Sequence, residues 1–419
     1  MLVKFRTRMK ILYIITALAI GLFVLWIGTG TQTAETVTTN AQSSVQFDIK
    51  VLLIENATKI SFKSGDDYRI INCKTTEVTG AIGGDNFINI SIDNNSIKGG
   101  FRNYNARHVI LQPVQEKPFA INDNQTYRGC LELIINPDNK TMMVINKVSL
   151  EDYLKGVVAS EMPSYWESEA LKAQAIAART YVLYIQSRFG KNRKWDVKAT
   201  QANQMYKGMR SETMRTNDAV DATAGMIMSC WQQDWQVFPA YYSSVCGGHT
   251  ESTENVFGDS FETLRGVDCP WCRMNTKPSL FYWPDAVYDK KTISDNILAK
   301  YPALKELGTI DRIETAKQSI YSGGLARTTS VKLTGSTGKT GFLRGEDLRL
   351  TVDSTGTKIQ STCCTIISLK NDVLFISGKG FGHGVGLCQY GAREMARQGN
   401  TAKQILDFYY PGNRIKLLY

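Results

Sequence analysis

The 419-residue sequence has no low-complexity tract of any length, and no internal repeat is evident. A chain of this length with 43% hydrophobic residues can bury one large core or two ordinary ones. The sequence also lacks a dinucleotide-binding unit, because its glycine-rich stretch near the C-terminus is not part of a strand-to-helix unit with an acidic partner at the usual distance. The sequence therefore predicts a folded protein. It contains no motif typical of dinucleotide binding.

Acidic residues are absent before Glu35, whereas basic residues occur early, at Lys4, Arg6, Arg8 and Lys10. An uncharged apolar run follows from Ile11 to about Thr29. Its length is close to the roughly 20 residues that span a bilayer and exceeds a signal-peptide core. Because the basic flank precedes the run, the N-terminus is expected in the cytoplasm and the rest outside. Residues 1–30 therefore predict an uncleaved membrane anchor, with a cleaved signal peptide or a buried globular helix as alternatives.

A polar stretch, TQTAETVTTNAQSSVQ, occupies residues 31–46 and is rich in Thr, Ser, Gln and Asn. This composition is typical of a linker that holds a folded domain away from the membrane. Everything from about Phe47 onward is accordingly expected outside the cytoplasm, in a single-pass protein of the cell membrane.

Basic residues outnumber acidic ones, 49 to 39, which gives a formal net charge of +10. An exported domain rarely meets nucleic acid, so an anionic polymer or lipid surface is the expected electrostatic partner. A cell wall that carries carboxylates and phosphates fits this charge. The alternative is that the charge only maintains solubility.

Residues 47–147 show short apolar segments broken by Gly, Asn and Asp, which predicts a β-rich region. The pattern then changes to helical. Ser149 and Asp152 have capping-box spacing, and a helix is predicted to about Glu161, where Met162-Pro163 interrupts it. A second helix is predicted from about Glu167 to Phe189, with Gly190 as the stop.

After residue 230 the pattern returns to short strands, and it then predicts a helix in TISDNILAKYPALKEL and further strands from 309 to 377. The chain closes with a glycine-dense loop and two short helices. The predicted fold class is α+β. It comprises a β-rich N-terminal segment, central helices, and a mixed sheet with a glycine-rich loop and C-terminal helices, preceded by one transmembrane helix.

Nine cysteines are present, and two pairs have ligand-like spacing: Cys246 with His249, and Cys269 with Cys272. Four such ligands are typical of a structural Cys₃His zinc site. An oxidising compartment also allows disulfides, although a disulfide scheme has no use for His249. The sequence favours zinc and leaves disulfides, or neither, open. A zinc ion with four protein ligands would stabilise the loop and would not activate water. The adjacent Cys363 and Cys364 are poorly placed to bridge each other.

Three segments carry a family resemblance. They are YRGCLELIINPDNKTMMVINKVSLEDYLKGVVASEMPSYWESEALKAQAIAARTYVL, YYSSVCGGHTESTENVF and GKGFGHGVGLCQYGAREMARQG...ILDFYYPG. Together they resemble the family of stage II sporulation protein D and the related amidase enhancers, in order from about residue 47 to the C-terminus. The resemblance implies one peptidoglycan-cleaving domain over 47–419, with a β-rich part at 47–147 and a catalytic part at 148–419.

The resemblance further implies a membrane-anchored lytic transglycosylase that acts on peptidoglycan. Such enzymes cut glycan strands already stripped of stem peptides and leave 1,6-anhydro-N-acetylmuramic acid ends. The family's catalytic glutamate, in the EMP motif, corresponds to Glu161, and its supporting basic residues correspond to Lys172 and Arg179. The visible departure is Cys388, where members often carry serine.

The residues themselves are compatible with this chemistry. Cleavage needs a proton on the leaving oxygen, and hydrolysis usually needs a second carboxylate. A lytic transglycosylase uses the sugar's own C6 hydroxyl as nucleophile, so one glutamate is enough. Glu161, at a helix end among Met162, Tyr165 and Trp166, is expected to have a raised pKa through partial desolvation. The alternative is a solvated glutamate in a last helical turn.

Other residues are candidate glycan contacts. Lys172 and Arg179 lie two helical turns apart, and they could bind the lactyl carboxylate of muramic acid or orient Glu161. A solvated basic stripe is the alternative. In GKGFGHGVGLCQYGA, His383 is expected to line the cleft with Gln389 and Tyr390, the alternative for His383 being a structural role within tight turns.

The sequence thus predicts a membrane-anchored enzyme that cleaves peptidoglycan glycan strands in cell-wall remodelling, including sporulation. A non-enzymatic wall-binding module that activates a partner amidase is the rival hypothesis. A zinc hydrolase is disfavoured, because a four-ligand metal leaves no position open for water.

Overall fold

The computed structural model describes residues 47–122, 125–231 and 236–419. Within these residues, no helix combines the length and the apolar character that crossing a bilayer requires. The predicted anchor at 1–30 and the predicted linker at 31–46 lie outside the described residues.

The strands carry the following bounds in chain order. They are β1 (Asp48–Ala57), β2 (Lys59–Asn72), β3 (Val78–Asp93), β4 (Ser96–Gly99), β5 (Arg102–Asn103), β6 (His108–Pro113), β7 (Phe119–Ile121), β8 (Gln125–Tyr127), β9 (Cys130–Ile135), β10 (Met142–Ser149), β11 (Val197–Lys198), β12 (Met226–Ser229), β13 (Tyr242–Ser243), β14 (Tyr282–Trp283), β15 (Ala286–Asp289), β16 (Ile310–Ile320), β17 (Ala326–Gly335), β18 (Thr340–Arg344), β19 (Thr365–Ser368), β20 (Asp372–Ile376), β21 (Gly378–Lys379), β22 (Leu387–Cys388) and β23 (Arg414–Leu417).

The α-helices are interspersed mainly after β10. They are α1 (Leu150–Glu161), α2 (Ser168–Phe189), α3 (Met214–Asp221), α4 (Thr253–Val256), α5 (Trp271–Asn275), α6 (Pro278–Phe281), α7 (Lys290–Lys300), α8 (Gly345–Val352), α9 (Gln389–Arg397) and α10 (Ala402–Tyr409).

The first region is a large sheet, as predicted for residues 47–147. Its main strand order is β11-β1-β10-β9-β6-β2-β3-β4-β5, with β7 attached to β2 and β8 attached to β7. The pairs are antiparallel except for β1 with β11. Apolar side chains of β10, such as Val144 and Val148, are buried with those of β1 and β9 in the main core. The sheet therefore forms one wall of the main core.

Two helices follow the sheet directly and bear out the helical pattern. The side chain of Ser149 caps α1 by accepting a hydrogen bond from the backbone N–H of Asp152, and α1 ends at Glu161. Helix α2 ends at Phe189, with Gly190 as its C-cap. The middle of α2 is buried on every face, because α1, α3, α9, α10 and β12 all pack around it.

A second, smaller core lies within residues 283–375. Its buried residues come from β14 to β20, α7 and α8 and include Ile297, Leu333 and Phe375. The helix predicted in this region is confirmed but ends at Lys300, because Tyr301 precedes a proline and adopts a non-helical conformation. A short 3₁₀ turn continues it, and α8 interrupts the strands that the sequence predicts from 309 to 377.

The C-terminal segment returns to the main core. Strand β22 pairs in parallel with β13, so that Leu387 lies opposite Tyr242 and Cys388 opposite Ser243. Helices α9 and α10 follow, as the sequence predicts, and pack on α2. This pairing brings Tyr242, at the start of β13, and Gln389, directly after β22, to the end of α1.

Candidate active site

Glu161 is the last residue of α1. Met162 leaves the helical conformation, and Pro163 follows it. Met162 and Trp166 are both buried, whereas Tyr165 is 69% exposed. The half-buried Glu161 therefore lies at a turn with apolar side chains beneath it and one free aromatic ring at the surface.

Three segments distant in sequence contact Glu161. Its Oε1 accepts a hydrogen bond of 2.7 Å from the backbone N–H of Met205, and its carboxyl group also bonds to the Tyr242 hydroxyl. The Gln389 side-chain amide donates to the backbone carbonyl of Glu161 at 3.3 Å. The same amide lies 3.4 Å from the Oε1 of Gln174 on α2. These contacts fix the carboxyl group from several sides.

Burial raises the pKa of Glu161 from 4.5 to about 7, although the Met205 N–H, Tyr242 and Gln389 oppose the shift by stabilising the charged form. The positive charge of Lys207 opposes it as well. A carboxyl group with this pKa is partly protonated near neutrality and can act as a general acid. The expectation of a raised pKa at Glu161 is thus matched by its surroundings.

A chain of hydrogen bonds orients the Tyr242 hydroxyl beside Glu161. The Tyr153 hydroxyl donates to Oε1 of Gln204 at 2.9 Å, and Nε2 of Gln204 donates to the Tyr242 hydroxyl at 3.1 Å. Because that hydroxyl accepts from Gln204, its own proton is directed to Glu161. Tyr153 and Gln204 are fully buried, so the orientation is held by the core.

A cavity of about 620 Å³ includes in its lining Lys207, whose charge acts on Glu161. Tyr206 and Lys207, which directly follow Met205, line it together with Tyr127 and Arg210. Both basic side chains are exposed, and among the described residues neither has a carboxylate within ion-pair distance. The cavity therefore combines aromatic rings with two available positive charges.

The structure does not bring the two predicted basic residues to Glu161 as binding groups. Nζ of Lys172 lies 2.7 Å from Oε1 of Glu169. Arg179 is 0% exposed, and its guanidinium binds both oxygens of Glu151 at 2.8 and 2.6 Å and the Met226 carbonyl at 3.0 Å. The two residues share a face of α2, but β12 covers that face at Arg179. Arg179 is therefore a structural residue and not a glycan contact.

His383 lies within the glycine-rich loop. Its Nδ1 accepts a hydrogen bond of 3.0 Å from the Val385 N–H, and its ring makes edge contacts with Tyr241 and Phe257. Burial lowers the pKa of His383 to about 4, so the ring is neutral near pH 7. Across the described residues, no hydrogen bond joins it to Glu161. These contacts favour the structural alternative over a glycan contact.

Gln389 and Tyr390, in contrast, do reach the neighbourhood of Glu161. The ring of Tyr390 packs edge-on against Trp166 at a centroid distance of 4.8 Å. The Arg393 guanidinium lies 5.1 Å from the Trp166 ring and 5.6 Å from that of Tyr165. The turn after Glu161 therefore exposes the ring of Tyr165, while the buried ring of Trp166 packs against α9.

Four cysteines form a buried cluster near the site. The Sγ atoms of Cys246, Cys269, Cys272 and Cys388 all lie within 4.8 Å of one another. His249 is not among them: its ring stacks on Tyr321 at 3.6 Å, and its Nε2 lies 3.8 Å from Asp268. His249, which the sequence predicts as a ligand, thus lies outside the cysteine cluster, and Cys388 lies within it. Gly247 and Gly248 have positive φ angles that turn the chain away after Cys246, while the β13–β22 pairing brings Cys388 in.

Sequence reasoning missed Gln204, Met205 and Tyr242. Gln204 and Met205 lie in QANQMY, between two short elements and without a periodic pattern, so no local signal marks them. Tyr242 lies four residues before Cys246, inside a stretch that the cysteine spacing does highlight. Only the fold places it on Glu161.

Comparison with known proteins shows where the chain has relatives. A family model described as Stage II sporulation protein matches residues 138–230. Stage II sporulation protein D of Bacillus subtilis is 30% identical over 285 residues, which cover 65% of this chain and 75% of the relative. The amidase enhancer of the same organism is 31% identical over 62% of this chain, but this match spans only 40% of that longer protein. An uncharacterized protein of Brachyspira hyodysenteriae is 36% identical over 70% of this chain and 73% of its own length.

Proposed function

The chain belongs to the family of stage II sporulation protein D and the amidase enhancers, and we propose that it is a lytic transglycosylase that cleaves peptidoglycan glycan strands. The observation that carries this proposal is Glu161, a single half-buried carboxyl group with a pKa of about 7. The main groups that act on it are Met205, Tyr242, Gln389 and Lys207, none of which is a second carboxylate. Hydrolysing glycosidases usually require a second carboxylate.

In the proposed reaction, protonated Glu161 donates its proton to the glycosidic oxygen while the bond to C1 of N-acetylmuramic acid breaks. The C6 hydroxyl of the same sugar then attacks C1. Glu161, now ionised, accepts the proton of that hydroxyl. The products are a strand with a free hydroxyl and a strand with a 1,6-anhydro end, and the enzyme returns to its starting protonation state.

The contacts of Glu161 suit both steps. The Tyr242 hydroxyl and the Met205 N–H are donors, so they stabilise the carboxylate that forms after proton transfer. Burial keeps the carboxyl group protonated beforehand. The opposing effects hold the pKa near neutrality, where one group can serve as acid and then as base.

We assign glycan binding to the cavity beside Met205. Lys207 and Arg210 carry positive charge that can pair with the lactyl carboxylate of muramic acid, whereas Tyr127 and Tyr206 are nearly fully buried and form part of the cavity wall. Arg179, which is buried, takes no part in this assignment. A strand without stem peptides leaves the lactyl carboxylate free, so peptide-stripped glycan is the expected substrate.

The proposed setting is the outer face of the cell membrane, with residues 1–30 as the anchor. The net charge of +10 fits an anionic wall. Two relatives are named for stage II of sporulation and for enhancing an amidase, which supports a role in cell-wall remodelling for this chain. The second candidate function, a non-enzymatic module that binds glycan and activates an amidase, is favoured by the match to the amidase enhancer.

The two functions are separated by one experiment. The full-length chain, purified in detergent, is incubated with peptide-free glycan strands and with intact peptidoglycan, and new chain ends are counted by chromatography. Glu161→Gln serves as the test variant, and Glu254→Gln, at an exposed position, as the matched control. New ends with the wild type and the control, but not with Glu161→Gln, support the enzyme. Uncut strands that remain bound, together with faster hydrolysis by an added amidase, would support the binding module.

A further inference from the structure

We propose that this chain holds one structural zinc ion in a site of four thiolates: Cys246, Cys269, Cys272 and Cys388. This set is called the thiolate cluster below. It differs from the set predicted by spacing, since Cys388 replaces His249. The proposal concerns metal binding and does not depend on the proposed reaction.

The geometry of the thiolate cluster matches a tetrahedral zinc site. A Zn–S bond of about 2.3 Å places the sulfur atoms of a tetrahedron about 3.8 Å apart. The Sγ atoms of Cys246 and Cys272 lie 3.6 Å apart, and no pair in the thiolate cluster exceeds 4.8 Å. All four side chains are buried.

Disulfides explain this arrangement less well. A disulfide requires an S–S distance of about 2.0 Å, whereas Cys246 and Cys272 are 3.6 Å apart. The four sulfur atoms also converge on one point and do not separate into two pairs. When four thiols converge in a protein core, their S–H groups are weak donors that lack good hydrogen-bond acceptors. A divalent cation, in contrast, binds all four side chains as thiolates.

Groups around the thiolate cluster also suit a metal–thiolate centre, which carries net negative charge. The backbone N–H of Cys246 donates to the Sγ of Cys388 at 3.3 Å. The Tyr409 hydroxyl lies 3.1 Å from the Sγ of Cys269. The fully buried guanidinium of Arg327 donates to the Cys246 carbonyl at 2.7 Å. Such outer contacts orient ligands and offset charge.

The thiolate cluster lies close in sequence to two residues that contact Glu161. Cys388 directly precedes Gln389, and Cys246 follows Tyr242 by four residues. Both Gln389 and Tyr242 contact Glu161. A zinc ion would therefore tie the segment that follows β13 to the end of β22, next to the two residues that make these contacts. With four protein ligands it has no open position, so its role is to position the site and not to activate water.

The test measures metal directly. The full-length chain is purified without chelator, and zinc per chain is determined by elemental analysis. Wild type is expected to hold one zinc. Cys388→Ser is expected to retain at least tenfold less zinc after dialysis against a chelator. Two control variants, His249→Ala and Cys364→Ser, should keep the zinc. Cys364 is a buried cysteine outside the thiolate cluster.

A second measurement uses wild-type protein alone, so it does not depend on whether the variants fold. Wild-type protein is stripped of metal and titrated with Co²⁺, and the thiolate-to-cobalt charge-transfer band is followed by absorbance. Saturation at one Co²⁺ per chain, reversed by Zn²⁺, supports the site. The proposal is overturned if wild type holds neither metal, if mass analysis shows cluster disulfides, or if His249→Ala releases zinc and Cys388→Ser does not.

Discussion

Replacing Glu161 with Gln should stabilise the fold in a pH-dependent way. Burial raises the pKa of Glu161 from 4.5 to about 7. Between these values the unfolded chain loses the proton while the folded chain keeps it, so rising pH lowers the free energy of unfolding. This decrease in the free energy of unfolding is complete above about pH 7. A difference of about 2.5 pKa units, at about 1.4 kcal/mol per unit, gives about 3 kcal/mol.

Gln has nearly the same shape and does not ionise, so Glu161→Gln avoids this loss. The measurement is the free energy of unfolding by urea, for wild type and variant, from about pH 4 to about pH 8. The variant's advantage should grow by about 3 kcal/mol over this range, while the exposed Glu254→Gln shows no such growth. A difference that is flat with pH, or that favours wild type as pH rises, would refute the assignment of a raised pKa.

Tyr242→Phe should lower kcat about 10-fold and move the Glu161 limb of the pH–rate profile to higher pH, since one donor to the carboxylate is lost. Arg179→Met should lower the free energy of unfolding by about 3 kcal/mol in urea denaturation by leaving a carboxylate unpaired, whereas Lys172→Met at the surface should cost less than about 1 kcal/mol. Arg210→Ala should raise KM several-fold with little change in kcat, because Arg210 contributes to binding alone. Lys207→Ala should raise KM and also move the Glu161 limb of the pH–rate profile to higher pH, because the charge of Lys207 lowers the pKa of Glu161. An effect confined to kcat would contradict that role.

Local signals in the sequence predict the elements that position the acid. The capping spacing of Ser149, the break at Met162-Pro163 and the stop at Gly190 each depend on backbone chemistry within a few residues. The structure confirms all three. The family resemblance, which the relatives bear out, also assigns a role to Glu161 before any geometry is known.

The parts that could not be predicted depend on contacts between distant segments. Cys388 is 116 residues from Cys272, so ligand spacing favours the nearby His249, and only the β13–β22 pairing reveals the replacement. Arg179 carries the same side chain whether it faces solvent or β12, and helical periodicity does not distinguish the two. The partners of the acid, Gln204 and Tyr242, have no sequence spacing that relates them to it.

In the proposed reaction, Glu161 promotes attack by the sugar's own hydroxyl and not by water. The most direct measurement digests peptide-free glycan strands in water enriched in ¹⁸O and weighs the new muramic acid ends by mass spectrometry. Wild type should produce ends that are lighter by one water than reducing ends and carry no ¹⁸O, and Glu161→Gln should produce no new ends. Reducing ends that contain ¹⁸O would show hydrolysis and contradict it.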